Sequence, residues 1–118
     1  MADVKIFHNP QCGSSNNALA IVEASGKPFE VVQYLKTKPT REVLEAIIAK
    51  LEDPVAELVR KDSFFEKLGL DAADYTTAET VIPLLVQYPR LLQRPIVICG
   101  DKALIGRPKD RVTALLAE

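Results

Sequence analysis

His8-Asn9-Pro10-Gln11-Cys12-Gly13-Ser14-Ser15-Asn16 is a polar loop between an apolar run, Val4-Lys5-Ile6-Phe7, and a segment that places Ala18, Leu19 and Val22 on one helical face. It puts a cysteine at the start of a helix. Backbone N–H groups there have no intrahelical partner and carry the positive end of the helix dipole, so a thiol ionises more readily and an anion can sit beside the sulfur. The alternative is a packed, inert thiol, because free cysteine is among the most buried residue types. The flanking Gly, Ser and Asn suit an exposed, hydrogen-bonding loop better than a core.

Working outward, Ser14 or Ser15 is expected to cap the helix, Gly26 to close it, and Phe29 to Tyr34 to form a second strand bounded by Lys38-Pro39. A helical connection of this length predicts parallel strands with a right-handed crossover. Thr40 then caps a stripe of Leu44, Ile47, Ile48 and Leu51. Asp53-Pro54 is expected to start a short helix, with Asp53 as cap, Leu58 and Val59 inward and Arg60 at its end. Asp62 or Ser63 caps a further turn carrying Phe64, Phe65 and Leu68, stopped by Gly69. Thr76-Thr77-Ala78-Glu79 matches a capping box before Val81, Ile82, Leu84 and Leu85. Pro83 inside that run implies either a kink or a later helix start. Ile96-Val97-Ile98-Cys99 and Lys102-Ala103-Leu104-Ile105, joined by Gly100-Asp101, predict a hairpin, and Gly106-Arg107-Pro108 leads into a last helix with Val112, Leu115 and Leu116 on one face. The layout is β-α-β, a helical block over about 40–88, then β-β-α, in one domain over residues 1–118.

Composition narrows the function. Apolar residues make up 47% and charged residues 26% of the 118, which is globular, and a net charge of −1 offers no general attraction to nucleic acid or an acidic membrane. Two cysteines are too few for a disulfide framework, and no secretory n-region and h-region precede Val4. No apolar run approaches the ~20 residues that span a bilayer. A cytoplasmic monomer with no nucleic-acid or membrane partner is therefore expected.

An ordered set of short motifs is more specific: His8-Asn9-Pro10-Gln11-Cys12-Gly13-Ser14-Ser15, Tyr34-Leu35, Leu58-Val59-Arg60-Lys61, Tyr88-Pro89, Arg94-Pro95-Ile96-Val97 and Gly106-Arg107-Pro108. In these the chain resembles the glutaredoxin-coupled arsenate reductase family. The resemblance implies a thioredoxin-like α/β fold, a mixed four-stranded sheet (β-α-β … β-β-α) with a helical insertion in its middle. It also implies that Cys12 is the nucleophile, that Arg60, Arg94 and Arg107 bind the oxyanion, and that Pro95 is a cis-proline facing the cysteine loop. Arsenate is then the substrate, with glutathione as co-substrate and glutaredoxin as partner. Neither a bound cofactor nor a metal is expected. Asn16 departs from the pattern, since many members carry Arg there.

The residue chemistry is compatible with this. Planar guanidinium groups bind the spread charge of an oxyanion bidentately where lysine cannot. Arg60, Arg94 and Arg107 stand at element ends, where side chains converge on loops, although each taken alone also reads as a solvated surface arginine. Ser15, at the place of a resolving thiol in a Cys-x-x-Cys loop, means that reducing equivalents come from outside. Cys99, in an apolar strand, reads as a packed thiol rather than a redox partner. His8 could favour the thiolate as an imidazolium, order the loop as a neutral ring, or make a plain loop hydrogen bond. Asn9 and Ser15 are candidate hydrogen-bond donors to the sulfur. A phosphatase-like Cys-x5-Arg is excluded by Ala18. A glutathione-dependent thiol oxidoreductase and a non-enzymatic redox-linked binding protein are the competing readings.

Overall fold

The computed structural model describes residues 4–107 and 110–117. Four strands, β1 (Val4–Phe7), β2 (Phe29–Val32), β3 (Ile96–Cys99) and β4 (Lys102–Ile105), form one sheet in the order β2-β1-β3-β4. β1 and β2 are parallel, and β3 is antiparallel to both β1 and β4. This is the mixed thioredoxin-like sheet implied by the sequence. The strands are short and alternate faces with period two. Val4, Ile6, Val97 and Leu104 face α1 (Gly13–Ala24) and α5 (Asp110–Leu116), closing one core with Ala18, Val22, Val112 and Leu115. Phe7, Ile96 and Ile105 face the other way, into a larger core with Leu44 and Ile47 of α2 (Arg41–Lys50) and Val81 and Leu85 of α4 (Ala78–Gln87).

The block between β2 and β3 also contains α3 (Ser63–Lys67) and 3-10 turns at Val55–Leu58, Ala72–Asp74 and Pro89–Leu91. Thr40 caps α2 through Val43 N–H, and Asp62, rather than Ser63, caps α3 through the N–H groups of Phe64 and Phe65. Gly26 and Gly69 take left-handed φ values of 75° and 71°, which explains the sharp exits from α1 and the α3 region.

Several local expectations are corrected. β2 ends at Val32 because Gln33 O accepts the N–H groups of Lys36 and Thr37, and the turn carries Tyr34 into the interior. Neither Ser14 nor Ser15 caps α1; Cys12 holds that position without a side-chain cap bond. The capping box on α4 is one residue later, from Thr77 to Thr80, so Glu79 takes no part. α4 begins at Ala78 and runs through Pro83, which excludes the later start. Pro108 lies outside the described residues.

Asp53 also departs from the capping role. Pro54 holds the N-cap position of the 3-10 turn, and the Asp53 carboxylate instead accepts Ile105 N–H at 2.9 Å and pairs with Arg111 at 2.8 Å. Arg111 in turn donates to Ile105 O at 3.0 Å. One carboxylate thus ties the insertion to the last strand and the last helix. Replacing Asp53 by Ala strands the Ile105 donor and the Arg111 charge, and should cost ~1.5–3 kcal/mol in urea unfolding. Asp53→Asn keeps an acceptor and should cost less; equal losses would show that the hydrogen bond to Ile105 contributes nothing.

Candidate active site

Sheet register gathers the site. Phe7 pairs with Val32 on one side and Ile96 on the other, and Ile96 pairs with Ile105, so the four strands reach one common edge in a single row. The chain continues from Phe7 into the His8–Cys12 loop, from Val32 towards Tyr34, back from Ile96 to Pro95 and Arg94, and from Ile105 to Gly106 and Arg107. Residues as much as 95 positions apart in sequence meet there, since Arg107 Nη2 donates to Cys12 Sγ at 3.4 Å.

The cysteine loop is held from within. Cys12 N–H donates to Asn9 O at 3.0 Å, Asn16 N–H to Cys12 O at 3.0 Å, and Gln11 N–H to Asn9 Oδ1 at 2.9 Å. Ser15 is fully buried, and its hydroxyl accepts Asn9 N–H at 3.0 Å while sharing a proton with His8 Nδ1 across 2.6 Å. The Ser15 hydroxyl is therefore committed to the loop and not to the sulfur, while the Asn9 Oδ1 acceptor serves Gln11. It is the backbone N–H of Ser15 that reaches the thiol. Asn16 donates its side-chain amide to Pro10 O at 3.0 Å.

Partial burial pushes the Cys12 thiol up, but hydrogen bonds from the Ser15 and Ser14 backbone N–H groups, with the hydrogen bond and charge of Arg94, outweigh it and leave the thiol below its ordinary value. Arg94 and Arg107 thus both address the sulfur. Arg107 is fixed for this by its Nε–H, which donates to Arg94 O at 2.7 Å. The Arg94–Pro95 peptide is cis, Pro95 is buried, and Pro95 O accepts Gly106 N–H at 2.8 Å. Glycine is required at 106, because a Cβ there would stand 2.9 Å from both Pro95 Cγ and Val112 Cγ2.

Arg60 arrives by a separate route. Val59 bridges Leu92, Arg60 N–H donates to Leu91 O at 2.6 Å, and Gln93 N–H to Leu58 O at 2.7 Å, which lays the Arg60 segment alongside the approach to Arg94. Its guanidinium is held by Asp62, Nε to Oδ2 at 3.1 Å, and no hydrogen bond joins it to Cys12 among the described residues. Arg94 and Arg107 are therefore the arginines that the structure brings to the sulfur. Cys99 lies at the far end of β3, paired with Val4 and remote from this edge. Tyr34, absent from the expected site, borders it; in the sequence it is an aromatic residue at the end of a strand and part of the Tyr34-Leu35 motif.

His8 is 4% exposed, and burial pulls its pKa below 6.5, opposed by a hydrogen bond that the ring donates to the Ser15 backbone. Of the roles open to it, ordering the loop as a neutral ring is the one the structure supports. No group of three or more His, Cys, Asp or Glu among the described residues could hold a metal ion, and no helix there is long and apolar enough to cross a membrane.

Comparison with known proteins places these features in context. A model of the ArsC family matches residues 7–115. An arsenate reductase of Neisseria meningitidis is 39% identical over 118 residues, covering 98% of this chain and 100% of the relative. One from Escherichia coli K12 is 37% identical, covering 100% of this chain and 84% of the relative. The solved structure of an arsenate reductase from Vibrio cholerae superposes with a TM-score of 0.84 at 31% identity, over 97% of this chain and 98% of that one.

Two outcomes follow from the electrostatics. Thiolate absorbance of Cys12 should titrate below the ordinary thiol range, and sulfate should move the midpoint upward, because a second anion disfavours ionisation. An unshifted free thiol would contradict the N-terminal placement. The His8 ring should titrate below 6.5 by NMR. Because the unfolded chain takes that proton more readily, its contribution is constant at neutral pH, and stability falls as the pH drops below the unfolded value. His8→Gln should flatten that acid limb of the stability curve.

Proposed function

This chain belongs to the ArsC family, and we propose that it reduces arsenate to arsenite, with Cys12 as nucleophile and with glutathione and glutaredoxin as electron donors. The observation that carries this reading is a single thiol at a helix N-terminus with the Arg94 and Arg107 guanidinium groups on its sulfur. Such a site supplies a nucleophile and a receptor for spread negative charge at the same point. A thiol exchanger could use such cations only to ionise the thiol, whereas an oxyanion reductase uses them for the substrate as well.

The chemistry balances as follows. Cys12 thiolate attacks arsenic(V), and an arsenate oxygen leaves as water, giving a Cys12–arsenate adduct. Glutathione adds to that arsenic through its sulfur with loss of a second water. A glutaredoxin thiolate then attacks the glutathione sulfur and forms a mixed disulfide, and the electron pair of the As–S bond remains on arsenic, now arsenic(III). Water releases arsenite and returns Cys12 as the thiolate. Two electrons reach arsenic, one from each of the sulfurs joined in the disulfide. Ser15 in place of a second loop thiol supports an external reductant, since no cysteine stands there to resolve the intermediate. Charge builds on the arsenate oxygens during attack, where Arg94 and Arg107 stabilise it. Arg60, laid beside the Arg94 segment and tied to Asp62, is the third oxyanion-binding arginine in this reading.

The test is arsenate-dependent NADPH consumption with glutathione, glutaredoxin and glutathione reductase. Cys12→Ser should abolish it without unfolding the protein, whereas Cys99→Ser should retain most activity per folded molecule. Arg94→Lys keeps the charge but loses the fork, and should lower kcat/KM for arsenate roughly ten- to a hundred-fold, the value of ~1.5–3 kcal/mol of charge-assisted hydrogen bonding. Reduction of a small mixed disulfide at Cys12 should change much less. An unchanged ratio of the two turnovers would mean that the arginines are not an oxyanion site.

A further inference from the structure

Among the described residues, three buried side-chain polar atoms have no hydrogen-bond partner: Tyr34 Oη, Arg60 Nη1 and Arg94 Nε. Two of these arginine atoms belong to groups already read as oxyanion ligands. Tyr34 does not. It is 0% exposed and the largest of the fully buried side chains. A hydroxyl sealed from water without a partner destabilises a fold, and phenylalanine would fill the same space without that penalty.

The position of the orphan is informative. His8 N–H donates to Val32 O at 2.8 Å, so the chain leaves β2 alongside the root of the cysteine loop, and Tyr34 follows two residues later. Its ring packs in the core cluster that contains Phe7, Val59 and Leu92, the residues from which the Cys12 loop, Arg60 and the Arg94 segment depart. Burial pushes the phenol up from its ordinary value, the nearby Arg94 guanidinium and Asn9 side chain pull it down, and the Cys12 charge raises it again. The groups that the hydroxyl senses are therefore those of the cysteine site. Raised above its ordinary value, the phenol keeps its proton at neutral pH and is available as a donor.

We propose that the Tyr34 hydroxyl is a further donor of the oxyanion site, which together with Arg94 Nε–H hydrogen-bonds an oxygen of the anion held against Cys12. The inference rests on the arsenate-reductase reading of that site and adds a neutral, non-arginine ligand to it. A tetrahedral oxyanion leaving water needs donors to replace its hydration, and two unused donors that border the cysteine site can supply them. Both atoms are covered, so contact with the anion requires the half-buried Arg94 side chain to turn. Tyr34 then acts by contact with the substrate, and the orphan hydroxyl is satisfied only in the complex.

Tyr34→Phe removes one oxygen and tests this. Arsenate binding is measured by calorimetry on a Cys12→Ser background, where no turnover intervenes, and sulfate serves as a second probe. The expected result is a roughly ten-fold or greater loss of arsenate affinity in the double variant, with the urea midpoint unchanged or raised and the pH midpoint of Cys12 alkylation in the single variant unmoved. Equal affinities in the two backgrounds, or a lowered urea midpoint that reveals a purely structural hydroxyl, would overturn the assignment. A Cys12→Ser protein that binds neither arsenate nor sulfate would instead overturn the oxyanion reading itself, and so would be distinguished from a failure of Tyr34 alone.

Discussion

Partial burial of the Cys12 thiol works against its ionisation, and the whole arrangement depends on reversing that sign. The reversal uses partial charges first: the free N–H groups at the start of α1, those of Ser14 and Ser15, point at the sulfur. Full charges then add to it, Arg94 by charge and hydrogen bond and Arg107 through Nη2 at 3.4 Å. Because these donors would hold an oxyanion as readily as a thiolate, activating the nucleophile and binding an anionic substrate are one electrostatic problem with one solution.

That solution is stored in the sheet. β1 is central, parallel to β2 and antiparallel to β3, so the exit of β1, the exit of β2, the entry of β3 and the exit of β4 share one edge. Each of these ends contributes one group, Cys12, Tyr34, Arg94 and Arg107 respectively. The insertion adds Arg60 by running Leu58–Arg60 antiparallel to Leu91–Gln93. Precision at the edge depends on close packing behind it. Gly106 leaves no room for a Cβ between Pro95 and Val112, and Asp53 fixes Ile105, the residue before Gly106, from the insertion side.

Much of this was legible in the residues. Period-two and period-3.6 apolar patterns gave the strands and helices in their observed order, because burial of one face is a property that neighbours in sequence share. What the pattern cannot reveal is which of several adjacent polar residues does the local work. Ser14 and Ser15 both suit an N-cap, yet Cys12 takes it, since the Ser15 hydroxyl is engaged by His8 and Asn9. Thr76 and Thr77 are equally good caps on paper, and the box closes from the second. Asp53 before Pro54 reads as a cap until its partner, Ile105, is brought from 52 residues away. Tyr34 was legible as a strand aromatic and as part of the Tyr34-Leu35 motif but not as a site residue, because an unpartnered hydroxyl is a fact about packing, not about spelling.

Charge bookkeeping across the site explains how a chain of net charge −1 presents a receptor for anions. Two arginines near the site are matched by carboxylates: Arg60 with Asp62 at 3.1 Å and Arg111 with Asp53 at 2.8 Å. No carboxylate pairs with Arg94 or Arg107 among the described residues. Of these four arginines, the two at the sulfur are thus the ones left without a carboxylate, which concentrates positive charge there although the net charge is −1. Such a receptor reads charge and tetrahedral shape, features that sulfate and phosphate share with arsenate. On the proposed reading, selectivity among them enters at the bond-making step, where the Cys12 thiolate would attack the central atom and that atom would accept two electrons from sulfur. The guanidinium groups and the helix terminus would then choose the class of ligand, and the redox chemistry of the thiolate would choose within the class.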